Sequence, residues 1–291
     1  MGTDLLQFLF SGLTVGAMYA LAALGYALIY NASHLINFAQ GEFIMVGAIT
    51  AAVLVEQGVA LPLAVVGAVL LTLLVGALTE RLAIRPAHGA PLVTLLIITM
   101  GVSLIIKGAV QLAFGKGTYS LPAFSGDTPI LFGKAALAPQ SLWVMGCTTA
   151  VVLLLAWYFA RTLGGKSMLA TSYNPFAARL VGIDTSRVLM TSFALAGALG
   201  AIGGVLTAPI TFTSSEAGTV LGLKGFAAAV LGGIGSGPGA LVGGLLLGVI
   251  EALTAGYVSS AYKDAVAFVL ILLVLMFMPR GLFGSKVTER V

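Results

Sequence analysis

Long apolar runs alternate with short polar connections along this chain. The apolar runs cover roughly residues 5–30, 41–57, 60–80, 92–114, 140–160, 188–212, 222–236, 238–258 and 264–279. Most are about twenty residues long and nearly free of charge, the length needed to cross roughly 30 Å of hydrocarbon at 1.5 Å per residue. They lack the strict apolar/polar alternation over about ten residues that marks a membrane barrel strand. Backbone groups in lipid must be satisfied within their own segment, so the runs are predicted to be helices. The pattern predicts an all-α, polytopic membrane protein with nine crossings. It has eight if the seventh run, short and broken by glycine, does not cross. Residues 1–291 read as a single transmembrane domain.

Composition narrows the class further. Hydrophobic residues make up 59% of the chain and charged residues 8%, against an ordinary 45–50% and about 25%. A soluble domain of this length could not cover its surface with so few charges. This excludes a soluble enzyme, a nucleic-acid binder and a disordered chain. The single cysteine, Cys147, excludes an internal disulfide. The segment before the first run contains Asp4 and no Lys or Arg, the opposite of a signal-peptide n-region, so no cleavable signal is expected.

Charge sets the expected orientation. Arg81 and Arg85 share one short connection, and Arg161, Lys166, Arg179 and Arg187 share another. Arg280, Lys286 and Arg290 close the chain. With nine spans all three groups fall on one side, which the positive-inside bias makes the cytoplasm. The N-terminus is then outside and the C-terminus inside. The other side receives Lys116, Lys134 and Lys263, offset by Asp127 and Asp264.

Two connections are long. Residues 115–139 form an external loop rich in Gly, Pro and Ser. Residues 161–187 are internal, and there Asn174 reads as an N-cap, Pro175 as the first helical residue and Gly182 as the stop. A helix of about two turns is expected, either a docking helix for a cytoplasmic partner or part of a plain surface linker. The chain also carries 38 glycines, many inside spans. Gly12/Gly16, Gly200/Gly204, Gly239/Gly243 and Gly244/Gly248 form small-residue pairs four apart, which let helices approach closely. They are read as packing within one chain, with dimerisation as the alternative.

Candidate chemistry lies in three places. Asn37-Phe-Ala-Gln-Gly-Glu42 and Gly222 to Gly239 both look like interrupted helices. Non-helical backbone at membrane depth is tolerated where it lines a cavity or is buried in protein. Broken segments in the two halves of a transporter point to the substrate path. One lies in each half here, which points to an internal duplication. The alternative for each is a tight turn between ordinary spans. The third place is the fourth run, where Thr99, Ser103, Lys107 and Gln111 recur every four residues and so share one face. Lys107 is expected to face the pathway or to snorkel to the external interface. The candidate pathway residues are therefore Asn37, Gln40, Gly41, Glu42, Thr99, Ser103, Lys107, Gly232, Gly233 and Gly235. Among the other ionisable residues, Glu80 is expected to reach water beside Arg81. Glu251 needs a partner or a proton that the sequence does not identify. Gly164-Gly-Lys-Ser167 imitates the end of a P-loop, but position 160 is alanine and no strand precedes it. No metal-ligand cluster stands out, and no metal is expected.

At this point the residues match a family. Asn37-Phe-Ala-Gln-Gly-Glu-Phe43 followed by Gly47-Ala48 resembles the signature of branched-chain amino-acid ABC permeases of the LivH type. Arg85-Pro86, Ala90-Pro91-Leu92 and the stretch from Asn174 to Ile183 occur where that family has its cytoplasmic segments. Gly225 to Gly244 is similar to its most distinctive stretch. The resemblance spans nearly the whole chain. It implies a type II-like importer permease in the inner membrane of a bacterial cell, paired with a second homologous permease. Two cytoplasmic ATPase subunits and a periplasmic or surface binding protein complete the assembly, and ATP is bound by those partners, with no cofactor in this chain. It implies a coupling role for Asn174, Pro175, Ala177, Ala178, Arg179 and Gly182. Two departures are visible. Gln40 stands where the family often has His, and Leu169-Ala170 where it commonly has Arg-Ala. The second suggests that partner contacts rest more on Arg179 and Arg187. Urea permeases share Asn-Phe-Ala, so urea or short amides are an alternative cargo. A proton-coupled carrier using Glu42 or Glu251 is an alternative mechanism.

Overall fold

A computed structural model describes residues 2–126, 128–132, 135–278 and 280–284. Lys286, Arg290, Lys134 and Asp127, used above to weigh orientation, lie outside the described residues. The chain is almost entirely helical. In order come α1 (Gly2–Ser33), α2 (Gln40–Glu56), α3 (Leu61–Thr79), α4 (Leu92–Phe114), α5 (Pro139–Arg161), α6 (Leu163–Tyr173), α7 (Pro175–Leu180), α8 (Thr185–Thr207), α9 (Ala217–Gly232), α10 (Gly237–Tyr257) and α11 (Lys263–Phe277). A short antiparallel hairpin, β1 (Ile130–Phe132) and β2 (Ala135–Leu137), sits in the long connection before α5.

Among the described residues seven helical stretches are long and apolar enough to cross a membrane, and this is a polytopic helical membrane protein. The other two expected crossings are shorter. Helices α2 and α9 have 17 and 16 residues, about 26 and 24 Å at 1.5 Å per residue. Helix α2 and the second half of α9 lie inside the bundle. Every residue of α2 from Gln40 to Ala52 is buried. Each is joined to its predecessor by irregular backbone, residues 34–39 before α2 and 208–216 before α9. Leu35, Asn37 and Ala39 in the first of these are fully buried. The first interruption therefore stands where the sequence placed it. The second also lies inside the stretch the sequence marked, but takes the form of the alternative, a tight turn between two helices: α9 begins at Ala217 and runs unbroken through Gly222 and Gly225. The glycine-rich run breaks at Gly233, where a tight turn leads into α10. Helices tolerate glycine when neighbouring helices crowd them, and these glycines are at such crossings.

The crossings account for the small-residue pairs. A side chain on Gly248 would collide with the backbone of Gly16, and one on Gly244 with that of Ala20, so α1 and α10 nearly touch. Gly200 lies against Phe43 and Gly204 against Ile44, which seats α8 on α2. Gly239 and Gly243 meet Gly232 on α9. All these contacts are within the chain. Helices α4, α5 and α11 are peripheral and leave most of their apolar side chains outward.

Both long connections contain more structure than expected. Helix α6 precedes α7, and Gly165 in it packs against the backbone of Tyr158 and Phe159 on α5. The Gly-Gly-Lys-Ser stretch is thus a close-packed helical corner. The pair of glycines allows an abrupt return of the chain after Thr162, which caps α6 by accepting from the Gly165 N–H at 3.0 Å. Ser33, Arg85, His88, Pro175, Arg179 and Asp184 line one cavity of about 500 Å³. The ends of α1 and α3 and the α7–α8 turn therefore share one end of the bundle, the basic end. Gly235 abuts Asn31 and Gly233 abuts Arg280, which brings the chain's last described residues to that end too. Glu80 differs from expectation. It is buried and pairs with Arg85 at 3.4 Å rather than reaching water beside Arg81.

Candidate translocation site

The irregular entry to α2 is shaped by its own polar side chains. Asn37 Oδ1 accepts from the Ala39 N–H at 3.1 Å and the Gln40 N–H donates to the Asn37 carbonyl at 3.1 Å, so the turn is closed before the helix begins. Gln40 Nε2 donates to the Ala196 carbonyl on α8 at 3.1 Å. Its amide fills the space that a side chain at Gly25 on α1 would need. Gly41 presses against Gly218 and Gly222, which lets α2 and α9 cross in antiparallel contact. Phe38 and Phe226 close that contact with ring centroids 6.0 Å apart.

The polar stripe of α4 faces this junction along its whole length. Thr99 accepts from the Phe38 N–H at 3.3 Å. Ser103 donates to Glu42 Oε1 at 3.0 Å. Lys107 Nζ lies 2.5 Å from Glu216 Oε2, and Gln111 Nε2 donates to Ser215 Oγ at 3.1 Å. Spacing by four residues therefore did identify one face, and that face lies on the entries to α2 and α9. Lys107, 20% exposed, reaches a carboxylate that is itself 68% exposed. Sequence reading missed its partner, Glu216, together with Ser215 and Thr219. The only signal was the polar run Thr213-Ser-Ser-Glu216 between two apolar segments.

Three buried polar atoms at this junction have no hydrogen-bond partner: Asn37 Nδ2, Gln40 Oε1 and Glu42 Oε2. Glu42 is only 2% exposed. Its free oxygen lies against Gly218, with the Thr219 side chain at its flank. Unsatisfied buried polar groups are costly, on the order of 1–3 kcal/mol each. All three lie between residues 37 and 42, in the turn before α2 and its first helical residues.

Gly232, Gly233 and Gly235 are not part of this cluster. They lie at the far end of α9, about 22 Å along its axis. Gly233 and Gly235 adopt φ of 104° and 92°, which the turn into α10 requires. The Leu282 and Phe283 N–H groups donate to the Leu231 and Gly232 carbonyls, both at 2.9 Å. These glycines seal the basic end of the bundle.

At that end the short helix α7 forms as its residues predict. Asn174 Oδ1 accepts from the Ala177 N–H at 3.0 Å, Pro175 opens the helix, and Gly182 ends it at φ 87°. Ala178 is buried and anchors it. Phe176, Leu180 and Val181 are 72, 73 and 77% exposed. Arg179 is held by Thr185 at 2.9 Å and Arg187 by Asp184 at 2.9 Å. The helix thus presents apolar residues outward, with Arg179 and, on α8, the 81% exposed Arg187 each bonded to a neighbouring side chain.

Residues 8–275 match the family described as branched-chain amino acid transport system, permease component. The chain belongs to this family. It is 35% identical to the high-affinity branched-chain amino acid transport system permease protein LivH of Salmonella typhimurium, over 98% of this chain and 97% of that one. The corresponding BraD protein of Pseudomonas aeruginosa is 35% identical over 98% of both chains. A probable LivH of Methanocaldococcus jannaschii is 30% identical over 92% of this chain and 89% of its own. These likenesses favour an amino-acid permease over the urea and secondary-carrier alternatives.

The permease also answers the open question about Glu251. Lys224 Nζ lies 2.6 Å from Glu251 Oε1, and the Tyr19 hydroxyl donates to Glu251 Oε2 at 2.8 Å. Lys224 continues to Asp264 at 2.6 Å and sits over the Tyr19 ring. Four helices, α1, α9, α10 and α11, are joined at this point. Glu251 has both oxygens engaged, which suits an ion-pair anchor better than a proton-carrying site.

Proposed function

We propose that this chain is the transmembrane permease subunit of an ABC importer for branched-chain or related hydrophobic amino acids. Helix α7 carries the reading. A capped helix that leaves Phe176, Leu180 and Val181 exposed at the basic end offers an apolar surface, and a separate cytoplasmic ATPase would cover it. Residues 161–187, with Asn174, Pro175, Ala177, Ala178, Arg179 and Gly182, are then the coupling segment. The basic end is cytoplasmic, with the N-terminus outside and the chain in the inner membrane. Residues 115–139 face outward and would receive a binding protein. A second homologous permease and two ATPase subunits complete the complex, and ATP is hydrolysed by those subunits.

The pathway runs beside Asn37, Gln40, Gly41, Glu42, Thr99, Ser103 and Lys107. Family membership and the unpartnered polar atoms at this seam support that course. ATP-driven tilting of α7 would reach the seam through α8, which follows α7 directly and accepts the Gln40 amide at Ala196.

The test is a pull-down of the tagged protein from detergent followed by mass identification. Recovery of two P-loop ATPases and a second permease, with ATP-dependent leucine uptake after reconstitution, is the expected result. Recovery of the chain alone, with uptake driven by a proton gradient, would overturn the reading.

A further inference from the structure

The α2–α4 seam holds charges of both signs one helical turn apart. Glu42 offers a buried carboxylate with Oε1 on Ser103 and Oε2 unpartnered. A buried carboxylate with an empty lone-pair side favours a visiting cation. One turn further along α4, Lys107 is paired with Glu216, whose side chain is 68% exposed. Ion pairs that open to water are weak and exchangeable. Gln111 and Ser215 bond to one another beside that pair. Helix α4 itself has just two fully buried residues among those described, Thr99 and Val110. Its contact with α2 is part polar and part apolar: Val110 and Ile106 pack on Met45, Val46 and Ile49 of α2 beside the polar stripe.

We propose that this seam is the station for the zwitterionic head group of an amino acid. The ammonium docks on Glu42 Oε2, and the carboxylate takes Lys107 from Glu216. Ser103 and Lys107 are one turn apart, about 5–6 Å between Cβ atoms, a spacing that places an ammonium and a carboxylate borne on one carbon between them. The exchange leaves no buried charge alone: both substrate charges gain a partner, and the released Glu216 is already in water. A neutral amide such as urea cannot make this exchange, because it carries neither charge. In this structure the Glu216 carboxylate occupies the place on Lys107 that a substrate carboxylate would take. The inference rests on the amino-acid reading above and names the groups that carry out its recognition.

The test uses the full complex with its ATPases, second permease and binding protein in liposomes. The readouts are ATP-driven uptake of radiolabelled leucine and recovery of the assembled complex. Glu42→Gln and Lys107→Met should each lower uptake at least about tenfold, the scale of a lost charge-assisted contact, while the complex still assembles. Glu42→Asp should keep more uptake than Glu42→Gln. The double variant Lys107→Glu/Glu216→Lys retains an ion pair. A purely structural pair would keep its uptake near wild type, whereas head-group recognition requires a loss. Uptake near wild type in Lys107→Met or in the swapped double variant would overturn the proposal, even if Glu42→Gln failed to assemble. If the wild-type complex hydrolysed ATP but moved no leucine, the amino-acid reading itself would fall.

Discussion

Removing the Lys224 ammonium should destabilise the bundle more than almost any other single change to a polar side chain. Lys224 and Glu251 are 7% and 6% exposed and only 2.6 Å apart. In Lys224→Met the Glu251 carboxylate keeps only the Tyr19 hydroxyl at 2.8 Å. Breaking a buried pair by removing one partner costs about 3–5 kcal/mol, because the remaining charge has no compensation. Glu251→Gln should cost less, since Lys224 retains Asp264 at 2.6 Å and the Tyr19 ring beneath it. Asp264→Asn should cost well under about 1 kcal/mol, because that side chain is 55% exposed and its share is screened. Replacing both members, Lys224→Met with Glu251→Met, should recover most of the loss, as apolar substitutes for buried pairs often do. The assay is a double-mutant cycle on unfolding in detergent, read by helix circular dichroism. A coupling energy of at least about 2 kcal/mol is expected. Additive single and double variants, or Lys224→Met as stable as wild type, would refute the claim that these two side chains satisfy each other. Uptake that still follows ATP in the double variant would show in addition that Glu251 carries no obligatory proton.

Phe176→Asp should leave unfolding unchanged, because the side chain is exposed. It should sharply reduce recovery of ATPase subunits in the pull-down, and normal recovery would move the docking surface elsewhere. Asn174→Ala removes the cap on the Ala177 N–H. It should cost about 1 kcal/mol locally, seen as faster hydrogen exchange over 175–180 with the bundle unaffected. Gly248→Leu would drive a side chain into the Gly16 backbone. It should destabilise by about 1–3 kcal/mol or more, and a stable variant would mean that α1 and α10 are further apart than described.

The helical nature of the apolar runs was legible because lipid imposes a length and forbids unpaired backbone. The α7 cap was legible because Asn174, Pro175 and Gly182 each act within a turn of their own position. The stripe on α4 was legible for a related reason: spacing by four defines a face on a single helix. Periodicity says nothing about what the face meets, however. The pairings of Lys107 with Glu216, Lys224 with Glu251, and Ser103 with Glu42 join residues 109, 27 and 61 positions apart. Only the packing of helices decides those. Glycine was legible only in part for the same reason. Between Gly222 and Gly239 it lowers helix propensity wherever it occurs, so the sequence suggested a broken span. Several of those glycines are instead the points where α2 and α10 press against an intact α9. The break falls at Gly233 and Gly235, where positive φ is required. Local preference and tertiary contact ask for the same residue at different places along one run. The residues that fix where a cargo can pass are set by the contacts, which is why Glu42 could be noticed in the sequence while the empty side of its carboxylate could not.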